Sequence, residues 1–407
     1  MGFIELFVSF IELLNNFIIL FYGSLIVAIL ILLYHILMRI MRDKKYINAL
    51  KRYKDPKTIS IEDLNSVPLV TIIVPAWKEG ESFRQCLNSI KDMKYPNKKV
   101  IVNAGGSDET NRIADSFKKF DNFLILRQKG GSYRPQLGKV KAINECLSHI
   151  QDGIIYSTDA DVQFNDEILL RMLYPLTNEN EKVVICGIRP YQFQEKKDLV
   201  LYLKINRNLH FRKKFDRYHH GFISGANSIF TYDVLKAIGK FSEDIKYADD
   251  RSREEDIEKH GFKIYALVDY RGRIFTKFPD TIKAWFSQKL RWNTDYIIFS
   301  LEKNKVQLIK PLALFCYSLF LIIFPFLGFL NPIIVVIGVL LLFSTYLKKI
   351  RRLIFYVKTN PKQFIKEISW LFYLKLIIYI YIEALIYLAV PYDLYRFKKE
   401  INPHKSQ

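Results

Sequence analysis

The chain has 407 residues, of which 50% are hydrophobic, 15% aromatic and 25% charged. That apolar fraction excludes a disordered chain, and 17 Gly with 14 Pro exclude collagen-like or proline-rich architecture. The 61 Lys and Arg against 41 Asp and Glu give a formal charge of +20, with the bases beside apolar stretches, which points to a membrane and away from nucleic acid.

Residues 13–38 carry no Asp, Glu, Lys or Arg, and 17–38 are long enough for a transmembrane helix. The basic residues follow this stretch, the reverse of a signal peptide, which predicts a retained anchor over 1–40 with its C-terminal end in the cytoplasm. A basic linker, 41–67, comes next. Residues 68–268 read as a soluble α/β domain. The β-branched runs Val70–Val74, Lys99–Val102, Ile154–Ser157 and Val183–Cys186 predict strands, the first three separated by polar stretches of helical length, as in a parallel sheet. The four cysteines, Cys86, Cys146, Cys186 and Cys316, show no CxxC pair and fit a reducing compartment. Residues 269–310 read as interfacial helices.

The stretch 311–347 is uncharged, and as one helix it would be roughly 55 Å long, too much for a bilayer core of about 30 Å. Asn331-Pro332 divides it into a hairpin of two spans, 311–330 and 333–347, with Lys348, Lys349, Arg351 and Arg352 returning to the cytoplasm. A further apolar segment, 370–390, carries Lys375 and Glu383. Charges within a span face a partner or a cavity, so this segment either crosses or lies along the interface.

Several motifs stand at predicted strand ends, where open α/β sheets bind ligands. The first strand runs into Val74-Pro75-Ala76-Trp77-Lys78-Glu79, and the second into Asn103-Ala104-Gly105-Gly106-Ser107-Asp108-Glu109-Thr110. Ser107 or Asp108 is suited to cap the next helix. Gly138-Lys139 is not a phosphate-binding P-loop, since Val140 stands where Ser or Thr is required. Lys139 suits either a solvated helix start or a point charge toward a phosphate. Asp159-Ala160-Asp161 follows the third strand and can converge at a turn on a hard divalent cation. Asp249-Asp250 precedes a polar helical run ending at Gly261, where Asp250 is also a plausible helix cap. In Gln288-Lys289-Leu290-Arg291-Trp292, the residues Gln288, Arg291 and Trp292 share one helix face, suited to a sugar and a diphosphate or to a membrane interface.

Taken together and in this order, VPAxxE, GGSDET, GK, DAD, DD and QxxRW before apolar helices resemble the membrane-bound inverting glycosyltransferases of family 2 over residues 68–310. Cellulose, chitin and hyaluronan synthases and ceramide glucosyltransferase belong to that group. The resemblance implies an α/β GT-A domain with a mostly parallel sheet, flanked by transmembrane helices. It also implies transfer from a nucleotide-diphosphate sugar to a lipid-linked or glycan acceptor, with Mg²⁺ or Mn²⁺. Carried over by position, Pro75, Ala76, Glu79, Asn103, Lys139, Asp159, Gln288, Arg291 and Trp292 would bind the nucleotide sugar. Asp161 with Asp159 would hold the metal, and Asp250 would be the catalytic base. Gly225, Asn227 and Trp292 would face the acceptor.

Three positions depart from the family pattern. Asn103-Ala104 replaces the usual aspartate, Lys78 replaces an Asn, and Arg253 stands where an apolar residue is usual. A rival register would place the acidic pair at Glu255-Asp256. The distance to Gly261 favours Asp250. A processive polysaccharide synthase is the alternative within the family, and a nucleotidyltransferase on a similar fold the alternative outside it. The reading places a multi-pass protein in the cell membrane with its catalytic domain in the cytoplasm.

Overall fold

The computed structural model describes residues 58–128, 135–194, 197–213, 225–243, 249–267, 271–303, 305–327, 332–359 and 368–401, with scattered positions between 22 and 48. The anchor expected over 1–40 and most of the linker 41–67 lie outside the described residues.

A seven-stranded sheet forms the centre, in the order β3-β2-β1-β4-β8-β6-β9. Its strands are β1 (Val70–Trp77), β2 (Lys98–Gly105), β3 (Phe123–Arg127), β4 (Ile154–Ser157), β6 (Val183–Ile185), β8 (Ser228–Thr231) and β9 (Ile264–Ala266). Only β8 runs against its neighbours; the other pairings are parallel. A second sheet, β5-β10-β7, joins Val162–Gln163, Ile274–Thr276 and Ile188–Pro190.

Alternation along the strands feeds a core on each face. Ile72, Val74, Val100 and Val102 pack on one side with helix α1 (Glu81–Lys91), while Ile73 and Ile101 pack on the other with α3 (Pro135–Leu147). Helix α1 buries Phe83, Cys86, Leu87 and Ile90, an i, i+3, i+4, i+7 stripe. Helix α2 (Asp108–Asp115) is capped by Ser107, whose hydroxyl accepts from Thr110 N at 3.2 Å. Helix α4 (Asp166–Asn178) is capped in the same way by Asn165.

Helix α5 (Asp198–Lys213) leads toward the C-terminal helices, and α6 (Tyr232–Ile238) and α7 (Asp249–Lys259) return to the sheet. Then follow α8 (Ile282–Lys303), α9 (Ile309–Leu327), α10 (Pro332–Thr359) and α11 (Trp370–Ile401). Among the described residues, two helices are long and apolar enough to cross a membrane, Lys305–Leu327 and Trp370–Phe397.

The basic residues 348–352 lie within α10 rather than beyond its end. Lys349 is 3% exposed and bonds Glu383, Arg351 pairs with Asp43, and Arg352 bonds Asn206. Bases read as membrane-orienting charge thus have partners inside the protein. The two charged residues within 370–390 of α11 are paired too, Lys375 with Asp198 at 2.6 Å and Glu383 with Lys349 at 2.7 Å.

Candidate active site

Strands β1 and β4 are paired as far as Ile73 and Ser157, and then their chains diverge. The connections leave in opposite directions here, so a crevice opens at the carboxyl ends of the strands. Pro75 sits just past the last β4 pairing, where its missing N–H removes no bond on that side. Pro75 and Ala76 are buried in the strand. Lys78 then takes a φ of 56°, a left-handed conformation that an Asn accepts more readily than a Lys. Gly106 of the neighbouring turn has a φ of 85°, and a Cβ there would meet the Trp77 ring at 2.7 Å. The two turns interlock only because residue 106 has no side chain.

Three segments bring acidic groups to this crevice, the end of β1, the turn after β4 and the start of α7, and the loop at Gly225 lies beside them. Lys139 on α3 is ion-paired with Asp159 and lies 3.7 Å from Asp249. Burial works against its charge, but Asp159 and Asp249 hold its ammonium above the ordinary lysine range. Asp161 is fastened from below, its backbone oxygen accepting from the Tyr191 hydroxyl at 2.7 Å. Burial and the neighbouring Asp159 push the Asp161 carboxyl up to about 6. Glu79 is raised to about 7 by burial together with Asp161 and Asp159. Three carboxyls with Lys139 as the nearby counter-charge thus form an acidic pocket between the ends of β1 and β4.

Across from them, α7 begins with Asp249 and Asp250. Arg253, 1% exposed, donates to Asp249 Oδ2 at 3.2 Å and to the Ser157 hydroxyl at 3.0 Å. Burial opposes the charge on Asp249, yet Lys139 and Arg253 hold its carboxyl below the usual range. Asp250 has the opposite balance: burial and the charge of Asp249 raise it to about 6. A carboxyl at that value is poised to exchange a proton near neutrality. A Cβ at Gly225 would stand 3.8 Å from Asp250 Cβ, 3.5 Å from Lys139 Nζ and 3.4 Å from Arg253. Gly225 therefore leaves open the space between the lysine and Asp250.

Other expected site residues are placed differently. Asn103 is fully buried, its amide donating to Ala142 O at 3.1 Å and Glu145 at 2.8 Å, so it faces α3. Asn227 is also fully buried, bonded to Tyr156 and to the carbonyls of Gly187 and Gly272. It braces the loop behind Gly225 and presents nothing to an acceptor. In the rival register, Asp256 accepts from Ser242 N and Oγ, and Glu255 pairs with Lys303, which accounts for both within the fold.

On α8, Trp292 is 42% exposed, Arg291 is exposed and Gln288 half-buried. One and two turns beyond Trp292, Tyr296 and Phe299 receive Arg251, its guanidinium 5.2 Å and 4.3 Å from their ring centres. The residue after Asp250 therefore fastens α7 to the helix that carries QxxRW.

Sequence reasoning missed the roles of Asp249, Arg253 and Tyr191. The i, i+4 spacing of Asp249 and Arg253 was a usable signal. Nothing local marks Tyr191.

Residues 71–239 match the family described as Glycosyl transferase family 2. "Probable glycosyltransferase YdaM" of Bacillus subtilis is 24% identical over 289 residues, 65% of this chain and 65% of its own length. The poly-beta-1,6-N-acetyl-D-glucosamine synthase of Staphylococcus epidermidis is 22% identical over 238 residues, 55% of this chain and 53% of its own. The chain thus covers less than two thirds of the length of these curated relatives. Mannosyltransferase PcManGT from Pyrobaculum calidifontis, solved with GDP-Man and Mn²⁺, aligns over 90% of this chain and 96% of its own at 16% identity and a TM-score of 0.49. The mostly parallel seven-stranded sheet, whose strands run from Val70 to Ala266, is a GT-A-like α/β fold, and most of it lies in the stretch that matches the family. Asp250 and QxxRW lie outside the matched stretch.

Proposed function

We propose that this chain is a membrane-bound inverting glycosyltransferase, moving a sugar from a nucleotide-diphosphate donor to a lipid-linked or glycan acceptor. One observation carries the reading: the acidic pocket of Glu79, Asp159 and Asp161 faces Asp250 across a space lined by Lys139 and kept open by Gly225. The end of β1, with Pro75, Ala76 and Glu79, would receive the nucleoside. Lys139 and Arg291 would compensate the diphosphate charge. Asp250 would face the acceptor hydroxyl with Trp292 and Gln288.

In the reaction, the acceptor oxygen bonds to the anomeric carbon as the bond to the diphosphate oxygen breaks, and the diphosphate leaves with the electron pair. Asp250 takes the hydroxyl proton. Attack from the face opposite the leaving group inverts the anomeric centre. The remaining groups hold donor and acceptor in line, which is a positioning effect.

The divalent cation implied by the family would be held by Asp161, with Asp159 beside it. Among the described residues, no group of three or more His, Cys, Asp or Glu forms a ready-made cage. That donor set fits Mg²⁺ or Mn²⁺, which take one or two carboxylates and complete their shell with water and substrate phosphate. When bound, such an ion stabilises the departing diphosphate.

The two long apolar helices support membrane association. With the anchor expected over 1–40 and the hairpin expected over 311–347, we propose a multi-pass protein with residues 41–310 in the cytoplasm. Protease cleavage of 41–310 from outside intact cells would contradict that orientation. A second reading, repeated transfer onto a growing glycan, is favoured by the match to a polysaccharide synthase. The test is to incubate the purified chain with a panel of nucleotide sugars and a lipid extract. A new singly glycosylated lipid supports the first reading and a ladder of products the second. No donor consumed with any acceptor sinks both.

A further inference from the structure

We infer that Lys349 is a positioning residue for the QxxRW helix, acting from α10 through Tyr202 and Trp285. Its ammonium is buried at 3% exposure and donates to Tyr202 Oη at 2.6 Å, Glu383 Oε2 at 2.7 Å and Asn206 Oδ1 at 3.2 Å. One cation therefore ties three helices together: α10, which carries it, α5, which supplies Tyr202 and Asn206, and α11, which supplies Glu383. Arg352, one turn along α10, bonds the same Asn206. Lys375 of α11 holds Asp198 at the start of α5.

The connection to the site runs through an aromatic contact. Tyr202, which accepts from Lys349, stands edge-on to Trp285 with ring centres 5.5 Å apart. Tyr379 of α11 closes the pocket, 6.0 Å from Trp285 at an interplanar angle of 88°. Trp285 is 2% exposed and lies in the first turn of α8, one turn before Gln288. The start of α8 is thus seated on a pair of tyrosines, one of which is fixed by Lys349. A second support comes through Arg251 on Tyr296 and Phe299, beyond Trp292. Gln288, Arg291 and Trp292 lie between the two supports, and the buried charge sets one of them.

A long cationic side chain with three buried oxygen partners is an exacting clamp, because removing it leaves Glu383 without its buried counter-charge. A shift of even 1 Å at a group that orients substrate costs up to about 10²-fold in rate. The inference rests on the proposed role of QxxRW, so its test reads helix position separately from activity.

Lys349→Met, Tyr202→Phe and the exchanged pair Lys349→Glu with Glu383→Lys would be purified as full chains in detergent. Hydrogen exchange over 282–303 reports the seating of α8, since amide exchange follows local opening. Hydrolysis of whichever nucleotide sugar the wild-type chain consumes reports the chemistry. Lys349→Met is expected to raise exchange in 282–303 about tenfold, with the sheet residues 70–105 as protected as in the wild type. Its kcat falls about 10-fold to 10²-fold with the donor KM unchanged. Tyr202→Phe, which keeps the ring, shows the same changes on a smaller scale, and the exchanged pair recovers part of both. Unchanged exchange in 282–303 in both single variants overturns the inference. Equal loosening of 70–105 also overturns it, because the role would then be general stability. Raised exchange with no nucleotide sugar consumed by the wild type leaves the seating standing and sinks the proposed function instead.

Discussion

At the strand ends, the carboxyls of Glu79, Asp159, Asp161, Asp249 and Asp250 share two close cations, Lys139 and Arg253. Between the helices, Glu383 meets Lys349 directly, with Lys289 and Arg352 adding further positive charge around it. Both clusters bury charge, but they resolve it differently. In the first, acid outnumbers base, and three carboxyls rise to about 6 or 7 because burial and the neighbouring acids outweigh the pull of Lys139 and Arg253. In the second, the one acid has a close buried partner, and Tyr202 and Asn206 occupy more of the lysine's donors. Surplus charge of one sign costs folding energy, and it persists where something outside the chain completes it. Paired charge of the second kind fixes geometry.

That contrast breaks if the acidic surplus proves idle. Asp161→Ala is expected to bring turnover to background, with metal-dependent donor binding lost in calorimetry; full turnover in excess chelator would remove the cation from the scheme. Asp250→Asn keeps the size but cannot accept the proton, so turnover falls by roughly 10²–10⁴-fold while donor binding persists. The pH profile sharpens the same point. A base acts only when deprotonated, and Asp250 titrates at about 6, so kcat/KM should drop about tenfold per unit below that and level off above it. Asp250→Asn should remove its own part of that acid limb and leave the part set by Asp161 and Glu79.

Arg253 tests the boundary between the two kinds of cluster, since it serves the site by burying a counter-charge. Arg253→Met leaves Asp249 with Lys139 alone nearby, and urea unfolding should show a loss of about 3–5 kcal/mol. The smallest expected effect is at Asp256, which accepts two bonds from Ser242. Asp256→Asn should cost about 1 kcal/mol and leave turnover near normal. Collapse of turnover in Asp256→Asn with Asp250→Asn active would move the base to the other register.

The α/β class, four strands of the main sheet and the order of the motifs were legible because long β-branched runs and turn residues are local signals. Strands β3, β8 and β9 were not, since Phe123–Arg127, Ser228–Thr231 and Ile264–Ala266 contain no run of β-branched residues and owe their state to their neighbours in the sheet. The reversed direction of β8 is likewise a tertiary property. At the site, the acids could be read one by one, but their grouping depends on which strands adjoin. Asn103 and Asn227 look like ligand contacts in the sequence because burial is invisible there. The pairing of Lys349 is hidden for the same reason: in sequence it belongs to a basic run, and its partner lies 34 positions away.

The seat of Trp285 also sets an order of assembly during synthesis. The indole needs Tyr202, already made, and Tyr379, which the ribosome adds 94 residues later (379 minus 285). At about 5–20 residues per second, that gap lasts roughly 5–20 s, during which the strand-end pocket can close but α8 lacks half its socket. The acidic pocket is therefore made early and the QxxRW helix is seated late, so a nascent chain that holds every motif is still unfinished until α11 arrives.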